Sequence, residues 1–290
     1  MKLIVNGPNG AAPAYAYTGG KRFDAALPCI VFIHGALNDH SDWTLLARWF
    51  AHHGHTVLAV DLPGHSRSAG PLLPDVAAHA RWLLALLDAA GVKQAALVGH
   101  SMGSLIALEA AGLAPERMSR RAAPKANTEA LQREGTLVTR LVLIGTAFPM
   151  KVSDALLATA RERPLAAMAM VNAWSVSTTA SKPGYPGPGA WLHGGNLALM
   201  RRVQAAGGGA NVFLHGFEVC NAYQGGMAAA ARVACPATLV LGRADIMTPP
   251  RATRELAAAL KARVVMVPSG HHQMGEAPDA TLAALREALA

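Results

Sequence analysis

The chain has 290 residues, of which 52% are hydrophobic and 15% are charged. This composition excludes intrinsic disorder for most of the chain, and the length allows one large folded unit with a sizeable core. The net charge of +8 does not indicate a nucleic-acid partner, because the basic residues are mostly scattered and lack interleaved aromatic side chains. No apolar run reaches the roughly 18 residues of a membrane span, so we expect no membrane partner either.

The N-terminus and the cysteines indicate a cytoplasmic protein. The N-terminal apolar run is too short for a secretory signal peptide. The three cysteines, Cys29, Cys220 and Cys235, are odd in number, lie far apart and lack the spacing of a metal site. We therefore expect free thiols in a reducing compartment. Since the sequence also shows no Gly-rich phosphate loop and no metal-ligand cluster, we expect no bound metal or cofactor.

Short apolar segments rich in strand-forming residues alternate with segments of helical periodicity along most of the chain. The predicted strands cover residues 2–5, 14–17, 29–33, 56–60, 95–98, 141–144, 238–241 and 264–267. The predicted helices between them cover residues 45–53, 76–90, 104–113, 251–262 and 279–289. The first two strands resemble an antiparallel pair, and the later alternation predicts a parallel sheet covered by helices on both faces. Ligands of such sheets bind beyond the C-terminal ends of the strands.

Two longer segments interrupt this alternation. Residues 121–139 are polar and precede the N-terminal end of a strand, so we expect a mobile insertion without a catalytic role, opposite the ligand site. Residues 149–236 follow the C-terminal end of that strand. Their helical patterns cover residues 154–161, 165–173 and 196–205. We expect this segment to form a helical cap over the ligand site, which leaves residues 1–148 and 237–290 as the core domain.

The segment Gly99-His100-Ser101-Met102-Gly103 has the G-x-S-x-G pattern of a nucleophile elbow and lies between a predicted strand and a predicted helix. A serine in such a sharp turn needs flanking residues without side chains, which the two glycines supply. The turn presents the serine hydroxyl at the sheet edge, and the helix N-terminus offers free N–H groups to an oxyanion. This combination predicts Ser101 as a catalytic nucleophile.

A serine hydroxyl needs a base and a third group that orients this base. Asp245 follows one late strand and His271 follows the next, in the chain order that such elbows use. We predict that Asp245 orients and stabilises the imidazole of His271, which carries the proton of Ser101. His272 is the neighbouring alternative. We choose His271 because it directly follows Gly270, and we place His272 at the rim of the pocket.

The oxyanion of a tetrahedral intermediate needs N–H donors. We expect the backbone N–H of Met102, the residue after the nucleophile, to supply one. The other should come from the turn after the strand at 29–33, where we choose Ala36 and keep Leu37 as the alternative. We assign His34, in the same turn, a structural role.

These motifs together resemble those of the α/β-hydrolase fold serine hydrolases, and the resemblance covers nearly the whole chain. The matching segments are His34-Gly35 with Trp43, residues 61–68, the elbow at Ser101, Asp245 with Thr248-Pro249, and Gly270-His271 with Glu276-Ala277-Pro278. The resemblance implies an eight-stranded, mostly parallel sheet with a cap after the sixth strand. Ser66 replaces a glycine that is common in the family, which we expect to stiffen or shift its loop. The insertion at 121–139 is also unusual.

The leading interpretation is a capped serine esterase that cleaves a carboxylic ester of a small to medium apolar substrate through an acyl-enzyme. A serine at the elbow is also compatible with a lactonase, a perhydrolase or a carbon–carbon bond hydrolase of the ring-cleavage-product type. A non-catalytic ligand-binding protein on the same fold is the alternative from another class. The expected partner is a small-molecule substrate, and a homodimer stays open as the assembly.

Substrate choice should depend on the predicted cap. The candidate pocket residues are Leu37, Met150, Trp174 and Trp191, although packing of the cap against the sheet would explain each of them equally well. A carbon–carbon hydrolase would need polar groups that grip its substrate. The candidates for this role are Arg201, Arg202 and Asn172. The histidines at 52, 53 and 55 precede a strand, opposite the expected site, so we assign no metal to them.

Overall fold

The computed structural model describes residues 1–7, 10–121, 137–177 and 192–290. The strands of these residues are β1 (Lys2–Gly7), β2 (Gly10–Tyr17), β3 (Cys29–Ile33), β4 (Thr56–Val60), β5 (Ala95–His100), β6 (Val138–Ile144), β7 (Ala237–Gly242) and β8 (Arg263–Val267). They form one eight-stranded sheet in the order β1-β2-β4-β3-β5-β6-β7-β8. Strand β2 is antiparallel to β1 and β4, whereas all other neighbours are parallel. The predicted α/β class with a mostly parallel sheet is confirmed.

Helices lie on both faces of this sheet. Within the described ranges they are α1 (Thr44–Ala51), α2 (Val76–Ala89), α3 (Met102–Arg121), α4 (Asp154–Glu162), α5 (Pro164–Ser175), α6 (Leu192–Ala206), α7 (Val212–Ala222), α8 (Gly226–Arg232), α9 (Arg254–Ala259), α10 (Gln273–Glu276) and α11 (Pro278–Leu289). Short 3-10 helices, at His40–Trp43 and Pro250–Thr253, precede α1 and α9. No helix in these parts of the chain is both long and apolar enough to cross a membrane.

The continuous apolar run of β3 is explained by burial on both faces. Side chains alternate along a strand, so Val31 and Ile33 join the hydrophobic cluster that α2 and α3 complete. Ile30 and Phe32 join the cluster on the other face, with α1 and α11. All five residues of β3 are buried, and the parallel pairing of Ile33 with Gly99 places the C-terminal end of β3 beside that of β5.

Helices α4 to α8 all lie between β6 and β7 in the chain. Helices α4 to α7 share a third hydrophobic cluster that includes Met168, Phe213 and Phe217, and Leu37 of the core packs into the same cluster. Helix α8 instead packs into the first cluster, through Ala229 and Ala230. Helix α7 approaches the turn after β3 closely, since a Cβ atom on Gly216 would lie only 2.9 Å from Ala36 Cβ. That residues 149–236 form a cap domain stays a prediction.

Several predicted boundaries were wrong. Helix α3 continues past Pro115 to Arg121, although proline is expected to end a helix. Strand β6 already begins at Val138, which is buried; the polar residues after it, Thr139 and Arg140, are half-buried and therefore tolerated in the strand. Residues 122–136 of the expected insertion at 121–139 lie outside the described part of the chain, so the insertion stays a prediction. The sequence analysis also missed α7, which is mostly apolar around one central glycine, and α8, which is rich in alanine.

Candidate active site

Ser101 lies between the end of β5 and the start of α3. Its backbone has a φ angle of 52°, in the left-handed region that non-glycine residues rarely adopt. The turn is fixed from both sides, since Ser101 N donates to Ile144 O (2.9 Å) and Ser104 Oγ donates to Ser101 O (2.6 Å). The strained turn is therefore over-determined by its neighbours, as is common at functional sites.

The two glycines of the elbow are required by close backbone contacts. A Cβ atom on Gly99 would overlap the carbonyl of Gly103, and one on Gly103 would overlap the carbonyl of Ile33. The sharp turn between strand and helix thus brings the two flanking positions directly against each other. Side chains at either position would force Ser101 away from its place at the sheet edge.

Asp245 and His271 meet beyond the ends of β7 and β8. His271 Nδ1 lies 2.9 Å from Asp245 Oδ2, and both residues are buried. Asp245 Oδ1 accepts hydrogen bonds from Met247 N (2.9 Å) and Thr248 N (2.8 Å), while the Thr248 hydroxyl donates to Asp245 Oδ2 (2.7 Å). The carboxylate is therefore held in one orientation, with an oxygen presented to the imidazole.

These contacts keep Asp245 ionised. Burial by itself raises the pKa of a carboxyl, because it disfavours the charged form. The proximity of His271, together with hydrogen bonds from His271 and Thr248, outweighs burial and holds the pKa of Asp245 well below its ordinary value. At neutral pH the group is a buried carboxylate that stabilises a positive charge on the neighbouring imidazole.

The neighbouring histidines occupy different surroundings. His272 Nδ1 lies 3.8 Å from Asp42 Oδ1, away from Asp245, and His272 N donates to Ser175 O (2.7 Å). His100 Nε2 lies 2.9 Å from the carbonyl oxygen of His271. His100 thus holds the loop at the carbonyl group of His271, whereas His272 lies near the carboxylate of Asp42.

Ser101 and His271 line one cavity of about 320 Å³. No hydrogen bond joins their side chains among the described residues, which is common in sites without a bound substrate. Met150 and Trp174, predicted from the sequence, line the cavity as well. Leu37 does not; it is buried in the third hydrophobic cluster, because its φ angle of 55° turns the chain there. Trp191 lies outside the described residues.

The turn after β3 runs directly beside the elbow. A Cβ atom on Gly35 would lie 3.2 Å from Ser101 Cβ, so the missing side chain allows this close approach. Ala36 lines the cavity with Ser101, and Met102 is the first residue of α3, where backbone N–H groups lack intrahelical partners. His34 is buried and its Nε2 accepts from Leu62 N (3.1 Å), which anchors the turn as predicted.

Comparison with known proteins identifies the family. The model of the "Alpha/beta hydrolase family" matches residues 30–285. The chain belongs to the alpha/beta hydrolase family. The protein is accordingly an enzyme of this family, in agreement with the resemblance of its motifs.

Solved structures similar to the hydrolase share its fold. The enol-lactonase from Burkholderia xenovorans LB400 has 22% sequence identity and a TM-score of 0.74, over 100% of this chain and 99% of that chain. An esterase from Exiguobacterium antarcticum has 15% identity and a TM-score of 0.75, over 99% and 98% of the two chains. At these identities the likeness shows the fold alone.

Curated relatives match the hydrolase over shorter segments. The dihydrolipoyllysine-residue acetyltransferase component of the acetoin cleaving system of Pseudomonas putida is 36% identical over 118 residues, which are 38% of this chain and 31% of that protein. The 2-succinyl-6-hydroxy-2,4-cyclohexadiene-1-carboxylate synthase of Salmonella typhimurium is 37% identical over 84 residues, which are 29% of this chain and 32% of that protein. The matches thus span about a third of the length of these relatives.

The structure adds polar residues that sequence reasoning did not assign to the site. The hydroxyl of Thr248 holds Asp245 (2.7 Å), and Glu276 accepts from Gly270 N (2.8 Å), directly before His271. Asn38 and His100 line a second, smaller cavity beside Ser101. Thr248, Glu276 and His100 belong to the recognised motif segments, and Asn38 lies three residues after Gly35, so these positions were the available signal.

One group of potential metal ligands in the described residues is already engaged in other contacts. Asp39, His40 and Asp61 offer ligand atoms within 4.8 Å of one another. Asp61 Oδ1 lies 2.8 Å from both His40 N and His40 Nδ1, and Asp39 Oδ2 accepts from Arg202 (2.8 Å). These groups satisfy one another through hydrogen bonds and ion pairs, so the cluster needs no metal for its stability.

Proposed function

We propose that the hydrolase cleaves carboxylic esters through an acyl-enzyme on Ser101. The observation that carries this proposal is the 2.9 Å contact between His271 Nδ1 and Asp245 Oδ2, at the wall of the cavity that Ser101 also lines. A buried carboxylate on Nδ1 fixes the tautomer whose other nitrogen, Nε2, accepts a proton. A serine hydroxyl, a base and an orienting acid are the three parts that nucleophilic catalysis requires.

The proposed reaction proceeds in two halves. Ser101 Oγ attacks the carbonyl carbon while His271 Nε2 takes its proton, and the oxyanion accepts hydrogen bonds from the N–H groups of Ala36 and Met102. The tetrahedral intermediate expels the alcohol, which receives the proton from His271. Water then attacks the acyl carbon with the same base, and release of the acid restores the serine hydroxyl.

The cavity lined by Ser101 and His271, called the main cavity from here on, favours a small to medium apolar substrate. Its volume of about 320 Å³ is at the lower end of the roughly 300–1,000 Å³ of ligand pockets. Its apolar lining residues include Met150, Leu156, Trp174, Phe217 and Ile246. Most of these side chains belong to residues 149–236, which supports our proposal that this segment is a cap that selects the substrate.

The carbon–carbon hydrolase has less support. Its substrates need polar groups in the pocket, but Arg202 is paired with Asp39 (2.8 Å) and Asn172 donates to His193 O (2.9 Å). Neither residue lines the main cavity. A lactonase would use the same steps as the esterase, because a lactone is a cyclic ester, so lactones belong in any substrate test.

The cysteines support the cytoplasmic location that we propose. All three lie in the described parts of the chain and are free thiols. Burial raises the pKa of Cys29 and of Cys220 to about 12, so both are unreactive at neutral pH. Unpaired thiols of this kind are typical of a reducing compartment.

The proposal is tested by turnover of p-nitrophenyl esters and lactones of increasing acyl length. We expect Ser101→Ala to abolish turnover and to leave the fold intact. Ser153→Ala is the matched control, since it makes the same chemical change at another serine of the same cavity wall, and it should reduce turnover only modestly. Equal turnover by Ser101→Ala and the unmodified enzyme would refute the proposal.

A further inference from the structure

Lys151 brings a charge to the wall of the main cavity. It lines the cavity together with Ser101 and His271. Among the described residues of this lining there is no aspartate or glutamate, and Lys151 is the single lysine or arginine. The mostly apolar wall therefore holds one lysine and no carboxylate that would neutralise its positive charge.

No acidic side chain engages this lysine. In the part of the chain that the structure describes, Lys151 takes part in no ion pair. Asp154 is the nearest acidic residue in the chain, but it lies in the first turn of α4 and does not line the cavity. The ammonium group of Lys151 is thus available to an occupant of the cavity.

The backbone around Lys151 is fixed by its neighbours. Val152 N donates to Asn221 Oδ1 of α7 at 3.1 Å. Ser153 caps α4, and its Oγ atom accepts from Leu156 N at 3.3 Å. These contacts fix the point from which the lysine side chain extends, so a ligand has to order only that side chain when it binds.

Lys151 lies where the cavity opens to solvent. Lys151 and Ile246 both line the cavity and are both exposed, Ile246 by 67%, whereas the lining residues Leu156 and Phe217 are buried. A lysine at such a border can lay its methylene groups along the apolar wall and keep its ammonium group in water. A carboxylate that meets it there retains part of its hydration and avoids the large cost of full burial.

A single carboxylate matches this arrangement better than other polar groups. Lysine is a compact point charge, so it balances one negative charge. A phosphate monoester carries about −1.5 to −2 charges at neutral pH and would leave part of this charge unbalanced. A neutral polar group gains little from the lysine, and a cationic group is repelled by it.

We propose that the hydrolase prefers esters whose apolar body ends in a single carboxylate, and that Lys151 binds this carboxylate at the opening of the main cavity. This inference rests on the proposed esterase function and specifies its substrate class. The carboxylate takes no part in the chemical steps at Ser101. Its contact with Lys151 is the same before and during the reaction, so the contact should lower KM and change kcat little.

The test compares esters in matched pairs that differ in the charge of one end. Mono-p-nitrophenyl adipate carries a carboxylate in the acyl part, and p-nitrophenyl 6-methylheptanoate has an isopropyl group of similar shape in its place. The second pair, 4-(butyryloxy)phenylacetate and 4-isobutylphenyl butyrate, places the carboxylate in the alcohol part instead. A pH-stat measures kcat/KM for each ester, and the ratio of the carboxylate ester to the neutral ester is the selectivity of the pair.

Substitution of Lys151 should lower this selectivity. We expect Lys151→Gln to lower it about three- to fivefold for at least one pair, through KM, which is the scale of a solvent-exposed ion pair. Lys151→Glu should lower it about ten- to twentyfold, since a repulsion of similar size replaces the attraction. Lys21→Gln is the matched control, because it removes the same charge from an exposed position outside the cavity, and it should leave the selectivity unchanged. Added salt should reduce the selectivity of the unmodified enzyme by screening.

The selectivity does not depend on the fraction of active enzyme, so partial misfolding of a variant does not alter it. Equal selectivity in the unmodified enzyme and in both Lys151 variants, for both pairs, would overturn this inference while esterase turnover remains. An equal fall in Lys21→Gln would overturn it as well, because the effect would then come from the net charge of the protein. Absence of turnover of all four esters by the unmodified enzyme would instead overturn the proposed function.

Discussion

Replacing Thr248 by valine removes a single hydroxyl group from the buried contacts of Asp245. This hydroxyl donates to Asp245 Oδ2 at 2.7 Å, and both residues are less than 5% exposed. A hydrogen bond to a charged group contributes about 1.5–3 kcal/mol, and valine has nearly the same shape as threonine. We therefore expect Thr248→Val to lower the free energy of unfolding by about 2 kcal/mol at pH 7. Thr248→Ser keeps the hydroxyl and should lose much less.

The pH dependence of this loss identifies its cause. A carboxyl whose pKa is lowered in the folded state stabilises the protein fully above the pKa of the unfolded chain, about 3.9, and this stabilisation is lost as the pH falls toward the folded pKa. The pKa of Asp245 is lowered in this sense. Without the hydroxyl it should be lowered less. The unfolded chain is common to both proteins, so the difference between the unmodified enzyme and Thr248→Val should persist down to the folded pKa of Asp245 in the variant and shrink only below it.

Urea unfolding in steps from pH 7 down to the acid limit of the folded state measures this difference, with far-UV circular dichroism as the probe. The midpoint should shift while the slope with urea stays the same, because the surface exposed on unfolding does not change. An equal loss in Thr248→Ser and Thr248→Val, or a loss that is already gone at pH 5, where Asp245 is ionised in both folded proteins, would refute the reasoning. Esterase turnover of Thr248→Val should fall as well, since the imidazole is oriented through this carboxylate.

Three further variants test other contacts of the site. His271→Ala should lower kcat/KM for p-nitrophenyl esters by at least about 10³-fold, whereas His272→Ala should lower it far less. If steady-state kinetics gave the reverse order, His272 would be the base. Gly216→Ala places a Cβ atom 2.9 Å from Ala36 Cβ and should displace the turn that contains Ala36. We expect kcat to fall clearly while the melting temperature changes little. An unchanged kcat would show that this turn does not contribute to the oxyanion site. Glu276→Gln sets an amide against the N–H group before His271, which should cost about 1–3 kcal/mol in urea unfolding; no loss would show that this contact is not required.

The sequence predicts well which residues lie at the C-terminal edge of the sheet. Strands that are buried on both faces are continuous apolar runs, so their C-terminal ends can be located to within a residue or two. Parallel strands place these ends at one edge, and this argument alone brings Ser101, Asp245 and His271 to the same side of the sheet. The glycine pattern of the elbow is readable because close backbone contacts permit only glycine there.

The residues between these strand ends are less predictable. Leu37 follows the motif turn, but a left-handed backbone directs its side chain into the third hydrophobic cluster. Ser66 likewise takes a left-handed conformation (φ 44°) and donates to Asp39 Oδ2 (2.8 Å), so the loop accommodates the missing glycine through a new hydrogen bond. Such outcomes depend on tertiary contacts that no local pattern contains.

The helices after β6 are the hardest part to derive from sequence. Helix α7 is apolar on most sides and carries a glycine at its centre, so it shows neither a polar face nor a clear helical propensity. Its central glycine has a structural reason that appears only in the folded protein, namely the close approach of α7 to Ala36. We propose that substrate specificity depends on this region, which makes specificity the property that the sequence predicts least directly.

The central claim is that Ser101 is the residue that carries the acyl group. The most direct measurement is mass spectrometry of the enzyme after reaction with a fluorophosphonate, followed by peptide mapping. We predict one adduct per chain, located on Ser101 and blocked by prior incubation with an ester substrate. Absence of an adduct, or an adduct on any other residue, would contradict the account.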